Sequence, residues 1–317
     1  MTSTNKLWQR LISVSQSTRR YLPATVQTKR SWARVVDSLI RAPAIYRDQI
    51  SAISDVHGSF PYTIVTPTYE GFLSKESEKV ICAYSDKLYV LSNDSDNLGP
   101  QALMYSTIMY VQNASVLLKS WLKLSVAGSD TLPNQFVFRY NSASEHCFLP
   151  LIKMIRAYRR IESNPIPQID RSKLRFLEKL DYKMYNYAVR GLLAGQRVRS
   201  TLYQPAVQQD FIRYHRFALT RTIFAAHLSI LTDSELILVS DGEQARWHGQ
   251  RRYGGVWTYV PLSMIDHVSA TDFSKDLLIL KYDLVNGESL IRKCKISNQA
   301  DLAKFIQDIK SLQGGNT

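Results

Sequence analysis

The sequence predicts a mainly β, α+β protein: two small antiparallel barrels or sandwiches, each closed by a C-terminal helix and joined by a basic helical linker. Three observations carry this. A strand–turn–strand motif occurs twice, each copy runs on through further strands into one amphipathic helix, and the positive charge is gathered in two segments. The length of 317 residues fits two domains, at roughly 150 residues for each. With 45% hydrophobic and 21% charged residues the composition is that of a globular chain, which excludes disorder, collagen and coiled coil.

Residues 1–59 form a basic N-terminal segment. Residues 1–36 carry seven Lys or Arg and no acid, and Leu7, Leu11 and Val14 share one helical face beside Lys6 and Arg10. Such a segment is a basic tail or a helix packed on the body, a membrane-surface helix, or an organelle transit peptide. The string SDVHGSF (54–60) contains a D-x-H-G similar to the first metal motif of calcineurin-like phosphoesterases. The Gly-Asp and Asn-His dipeptides that would complete such a site occur nowhere in the chain, so it reads as a loop or turn before the first repeat.

The first repeat spans 60–161 and the second 220–313. KVICAYSDKLYVLSND (79–94) and HLSILTDSELILVSDG (227–242) share the order apolar run, Ser/Thr-Asp break, apolar run, closing Asp, which is two short strands joined by a turn. Further strands follow in 107–126 and 135–141 of the first repeat, and in 256–283 and 289–297 of the second. Each repeat then ends in a helix. In 142–161, Ser142 and Glu145 stand at capping-box spacing, and Pro150 delays or kinks the helix. In 298–313, Leu302, Phe305, Ile306, Ile309 and Leu312 make one buried stripe, with Asn298 as cap and Gly314 after the end.

Residues 162–219 connect the repeats. ESNPIPQID (162–170) reads as an extended linker, followed by a helix from Arg171 to Ala194 capped by Asp170 and stopped at Gly195. Its apolar face is Leu174, Leu177, Leu180, Met184, Ala188 and Leu192, and its opposite face carries Arg171, Arg175, Lys179, Lys183 and Arg190. Residues 153–221 hold fifteen basic against five acidic side chains.

On these residues both halves resemble bacterial pleckstrin-homology-like (PH-like) domains. The likeness lies in the LTDSELILVSD strand pair, the VWTYVPLSMIDHV strand, the later hairpin strands and the terminal helix, and it is better for 220–313 than for 60–161. In the first half YSDKLYVLSND is followed by a loop without basic residues. The resemblance implies a strongly bent seven-stranded antiparallel sheet closed at one end by the helix, acting as a binding module without catalytic residues.

No stretch approaches the roughly 18 apolar residues of a membrane span, and no secretory h-region is present. The odd, scattered Cys82, Cys147 and Cys294 suit a reducing compartment, so a cytoplasmic protein, peripheral to the membrane in one reading, is expected. No metal, cofactor or catalytic set is expected: His146, His215, His227 and His267 are isolated, and no glycine-rich phosphate cradle occurs. The loop GEQARWHGQRRYGG (242–255) gathers Arg246, His248, Arg251 and Arg252 beside Trp247 and Tyr253, side chains suited to an anion. The expected function is therefore a non-catalytic adaptor that engages an anionic lipid surface or an acidic protein. Two rivals remain. A nucleic-acid binder would use the basic linker with Tyr182, Tyr185 and Tyr187, and a structural module would form homo-oligomers through its sheet edges.

Overall fold

A computed structural model describes residues 32–70, 75–93, 99–116, 120–128, 133–159, 169–214, 217–242 and 254–314. Apart from its first strand and the helix that follows it, the first half is repeated in the second. In the first, β1 (Arg34–Val36), β2 (Tyr62–Val65), β5 (Lys79–Ala83), β6 (Lys87–Ser92) and β7 (Gln101–Met104) form an antiparallel sheet in the order β1-β2-β5-β6-β7, with β3 (Tyr69–Glu70) and β4 (Lys75–Glu76) as a small ladder apart. A 3-10 turn at Tyr105–Thr107 then leads into β8 (Ile108–Val116), β9 (Ser120–Val126) and β10 (Gln135–Tyr140).

In the second half, β11 (Val198–Gln204), β14 (His227–Thr232), β15 (Glu235–Asp241) and β16 (Gly254–Pro261) match β2, β5, β6 and β7. The hairpin of β12 (Val207–Tyr214) and β13 (Phe217–Phe224) falls between the first and second of these strands, as β3 and β4 do in the first half. A 3-10 turn at Leu262–Met264 precedes the sheet of β17 (Ile265–Ser274), β18 (Leu277–Leu284) and β19 (Ser289–Lys295). Four strands, a 3-10 turn, three strands and a helix thus occur twice.

The two barrels expected from the sequence are not closed. Among the described residues every sheet is open, because the edge of β8 is taken by the other half: β8 pairs antiparallel with β16, with Gln112 opposite Thr258 and Ala114 opposite Val256. The second sheet of the first half and the first sheet of the second half become one seven-stranded sheet, β10-β9-β8-β16-β15-β14-β11.

This shared sheet is a wall with a core on each side. One face of β14, β15 and β16 presents Leu228, Ile230, Ile237, Val239, Trp257 and Tyr259 to a core that also holds Ile81, Leu88 and Leu103 of the first half. The other face presents Leu231, Leu236, Leu238 and Val260 to β17–β19 and the C-terminal helix. Burial on both faces explains why ELILV and VWTYV are unbroken apolar runs where a strand wetted on one face would alternate. Each such side chain contributes about 1.5–3 kcal/mol of transfer free energy.

The N-terminal segment is partly built into the first half. Helix α1 (Arg47–His57) lays Tyr46, Ile50 and Ile53 over Val65, Val80, Cys82 and Leu91 on the outer face of the first sheet. Gly58, at φ 65, ends α1, and His57 stacks on Tyr84 with ring centroids 3.9 Å apart. SDVHGSF is therefore a helix end.

The terminal helices follow the sequence in outline. Helix α2 (Leu149–Tyr158) starts late, with Pro150 in its first turn, after a 3-10 turn at Ser142–Cys147. That turn is capped by Asn141, whose side chain accepts from Ala143 N, and not by the expected Ser142–Glu145 box. The linker helix is broken: Ser172–Leu174 is a 3-10 turn, then come α3 (Phe176–Leu180) and α4 (Tyr182–Gly191). The cap position is Arg171 and not the expected Asp170, which accepts from Ser172 N at 3.0 Å one residue earlier. The second half's wall strands begin at Val198, inside the segment assigned to the linker, because β11 pairs with β14. Helix α5 (Gln299–Gly314) buries Leu302, Phe305 and Ile309, while Ile306 and Leu312 of the expected stripe are half-buried at its edge.

Candidate functional site

Arg246, His248, Arg251 and Arg252 lie outside the described residues. The described ends of their loop show why its glycines are there. Gly254 has φ 145, and a Cβ on it would stand 2.1 Å from Ser115 O; a Cβ on Gly255 would stand 2.7 Å from the Trp257 ring. This Gly pair lets β16 approach β8 and Trp257 fold over.

The five basic residues of the linker separate into two groups. Lys183 Nζ donates to Asp241 Oδ2 at 2.6 Å; burial opposes its charge, but the Asp241 hydrogen bond and charge outweigh this and hold its pKa above the ordinary lysine value. Arg190 pairs with Glu145 and lies 4.7 Å over the Trp257 ring. Glu145 also accepts from Asn113 Nδ2 at 3.0 Å and Ser115 Oγ at 2.9 Å, so the residue expected to cap a helix instead ties α4 to β8. These two bases are structural. Arg171, Arg175 and Lys179 are exposed and make no ion pair among the described residues.

Leu180 is not part of the buried stripe. Asp181 adopts an extended conformation (φ −155, ψ 86), accepts from Met184 N at 2.9 Å and Tyr203 OH at 2.8 Å, and so starts α4 in a new phase. Phe176 (47% exposed), Leu180 (64%) and Tyr182 (66%) face solvent, Leu180 because the helix ends there and restarts in another phase. Three apolar or amphipathic side chains therefore stand on the same short stretch as Arg171, Arg175 and Lys179. Of the three tyrosines considered for base stacking, Tyr185 is buried and Tyr187 packs on Trp257, which leaves Tyr182.

Between the halves lies a small cleft lined by Tyr105, Ile108, Tyr259, Pro261, Arg156 and Arg159. In its lining Arg156 of α2 grips Glu235 at the start of β15: Nε lies 3.1 and 3.2 Å from the two carboxylate oxygens, and Nη2 lies 2.5 Å from Oε1. Nη2 also donates to Gly191 O at 2.8 Å, Gln196 Nε2 donates to Glu235 Oε1 at 2.5 Å, and the guanidinium sits 3.8 Å over Tyr259. Tyr259 is raised to about 12 by burial. Arg159, beside this pair, donates to Ser106 O and keeps a sealed Nη1 without a partner; burial lowers its pKa. No local pattern announces the Arg156–Glu235 joint, since the two residues belong to different repeats.

No nucleophile is activated among the cysteines. Cys147 Sγ is 3.5 Å from His146 Nε2, but burial raises the thiol, which donates to Ala33 O. Burial likewise pushes Cys82 up to about 12 and Cys294 to about 11. Among the described residues no three His, Cys, Asp or Glu side chains are grouped to hold a metal, and no helix is long and apolar enough to cross a membrane. The chain matches no protein-family model and no curated protein sequence.

Proposed function

We propose that the protein is a non-catalytic binding protein made of two fused, bent PH-like units that docks peripherally on an anionic membrane. The observation that carries this is the α3 surface, where Phe176, Leu180 and Tyr182 are exposed among Arg171, Arg175 and Lys179. Water gains nothing from those apolar groups. A membrane interface takes the rings and the leucine to headgroup depth while each base near an anionic surface adds about 1 kcal/mol. Residues 1–36, with seven more bases, add to the same attraction. The PH-like reading is supported by the four-plus-three strands and closing helix found in each half.

Flotation with liposomes tests the reading. The full chain is expected to float with phosphatidylserine-containing vesicles and not with phosphatidylcholine alone, and to be released by high salt. Arg175→Glu with Lys179→Glu abolishes flotation, and Phe176→Ser with Leu180→Ser weakens it at low salt. Equal behaviour of these variants and the parent, or no flotation at all, sinks the proposal.

A further inference from the structure

Among the described residues four side-chain polar atoms are sealed from solvent without a hydrogen-bond partner, and three of them, His227 Nε2, Ser240 Oγ and Arg292 Nε, belong to one region of the second half. His227 and Ser240 face each other as direct cross-strand partners at the end of β14 and β15. On the same face of β14, Ser229 accepts from Tyr282 OH of β18 at 3.3 Å, so this face looks onto the β17–β19 sheet. From β19, Arg292 shares its side of the strand with buried Cys294, and its charge acts on His227, Tyr282 and Cys294. No described carboxylate pairs with it. Sealed polar groups in folded proteins are almost always satisfied, so three orphans in one region call for a partner that the described side chains do not supply.

We infer that His227, Ser240 and Arg292 form a buried site for a small phosphate that keeps a proton, free or as the singly ionised head of a monoester. The hydrogen-bond pattern selects the guest. His227 Nδ1 lies 3.3 Å from Ala225 O, an acceptor only, so Nδ1 carries the proton. Burial first, and the charge of Arg292 second, lower the imidazole to about 3, so the ring is neutral and Nε2 offers a lone pair. Arg292 Nε and the Ser240 hydroxyl are donors. The guest must accept from two groups, donate to a third and carry negative charge against the unpaired guanidinium. Sulfate or a carboxylate, unprotonated at neutral pH, sets its lone pairs against Nε2. Water meets the hydrogen bonds but brings no negative charge to the guanidinium. Inorganic phosphate, which keeps a proton at neutral pH, meets all of these demands. The site is separate from the α3 surface and stands without the membrane reading.

Calorimetric titration of the full chain with inorganic phosphate and with sulfate at pH 7 tests the inference. Phosphate is expected to bind at least tenfold more tightly than sulfate. Arg292→Gln removes the binding, and Ser240→Ala, which keeps the core volume and guards against a misfolded Arg292 variant, weakens it roughly tenfold or more. Phe176→Ser with Leu180→Ser leaves it unchanged. Displacement of phosphate by phosphatidate vesicles, and not by phosphatidylserine vesicles, identifies the source as a lipid headgroup, and its failure identifies a soluble phosphate. No heat with phosphate, equal affinity for sulfate, or binding indifferent to Ser240→Ala overturns the site.

Discussion

Arg156→Ala and Glu235→Ala are each expected to destabilise the chain by about 3–5 kcal/mol, the usual cost of leaving one buried charge without its partner. The two side chains are 4% and 6% exposed, so solvent cannot replace the lost counter-charge. Without Glu235, the guanidinium keeps only Gly191 O, Gln196 Oε1 and the face of Tyr259, and Gln196 Nε2 loses its acceptor. The apolar pair Arg156→Met with Glu235→Leu removes both charges together and leaves mainly the amide partners unmatched, a loss of about 1–2 kcal/mol. The double variant should therefore be more stable than either alanine variant. Denaturant unfolding followed by fluorescence, with Trp257 buried in the same core, reads all four proteins. A loss below about 1 kcal/mol in both single variants, or a double variant as unstable as their sum, would refute the argument that this joint is a desolvated ion pair locking the halves.

Two further substitutions test the shared sheet and the buried histidine. Gly254→Ala drives a methyl into Ser115 O at a backbone angle that L-residues avoid, so about 1–3 kcal/mol of strain is expected before the clash is counted, with amide exchange in β8 and β16 accelerating together; unchanged protection there contradicts the close approach. His227 is held neutral by burial and Arg292, with its pKa lowered to about 3, so the unfolded chain takes up a proton that the folded one refuses. Stability is full above the unfolded value near 6.5 and falls as pH drops towards 3. At pH 5 the parent should have lost about 2 kcal/mol more than His227→Gln relative to pH 7.5, and parallel pH profiles would contradict this.

Much of the fold could be read in the residues. Leu302, Phe305 and Ile309 announced their helix because local spacing alone decides which face of α5 is buried. Pro150 fixed the late start of α2 for the same kind of reason, being a backbone constraint independent of partners. What escaped was everything set by contacts between the repeats. The unbroken runs ELILV and VWTYV hinted at strands covered on both sides, yet nothing local says that β16 pairs with β8. Likewise the linker's helical periodicity ran smoothly through Leu180, and only the hydrogen bonds from Met184 and Tyr203 to Asp181 reveal the break. The basic face was visible residue by residue, but Lys183 and Arg190 are spent on Asp241 and Glu145 of other elements.

The pairing of β8 with β16 also bears on how the chain reaches its fold. On a ribosome β8 emerges with its hydrogen-bonding edge bare, and its mate is made almost half a chain later. Until then the nascent first half carries an open template that a neighbouring polypeptide can occupy, and a swapped dimer is the natural error. The same pairing means that either repeat cut out alone would bare a strand edge that the intact chain keeps covered.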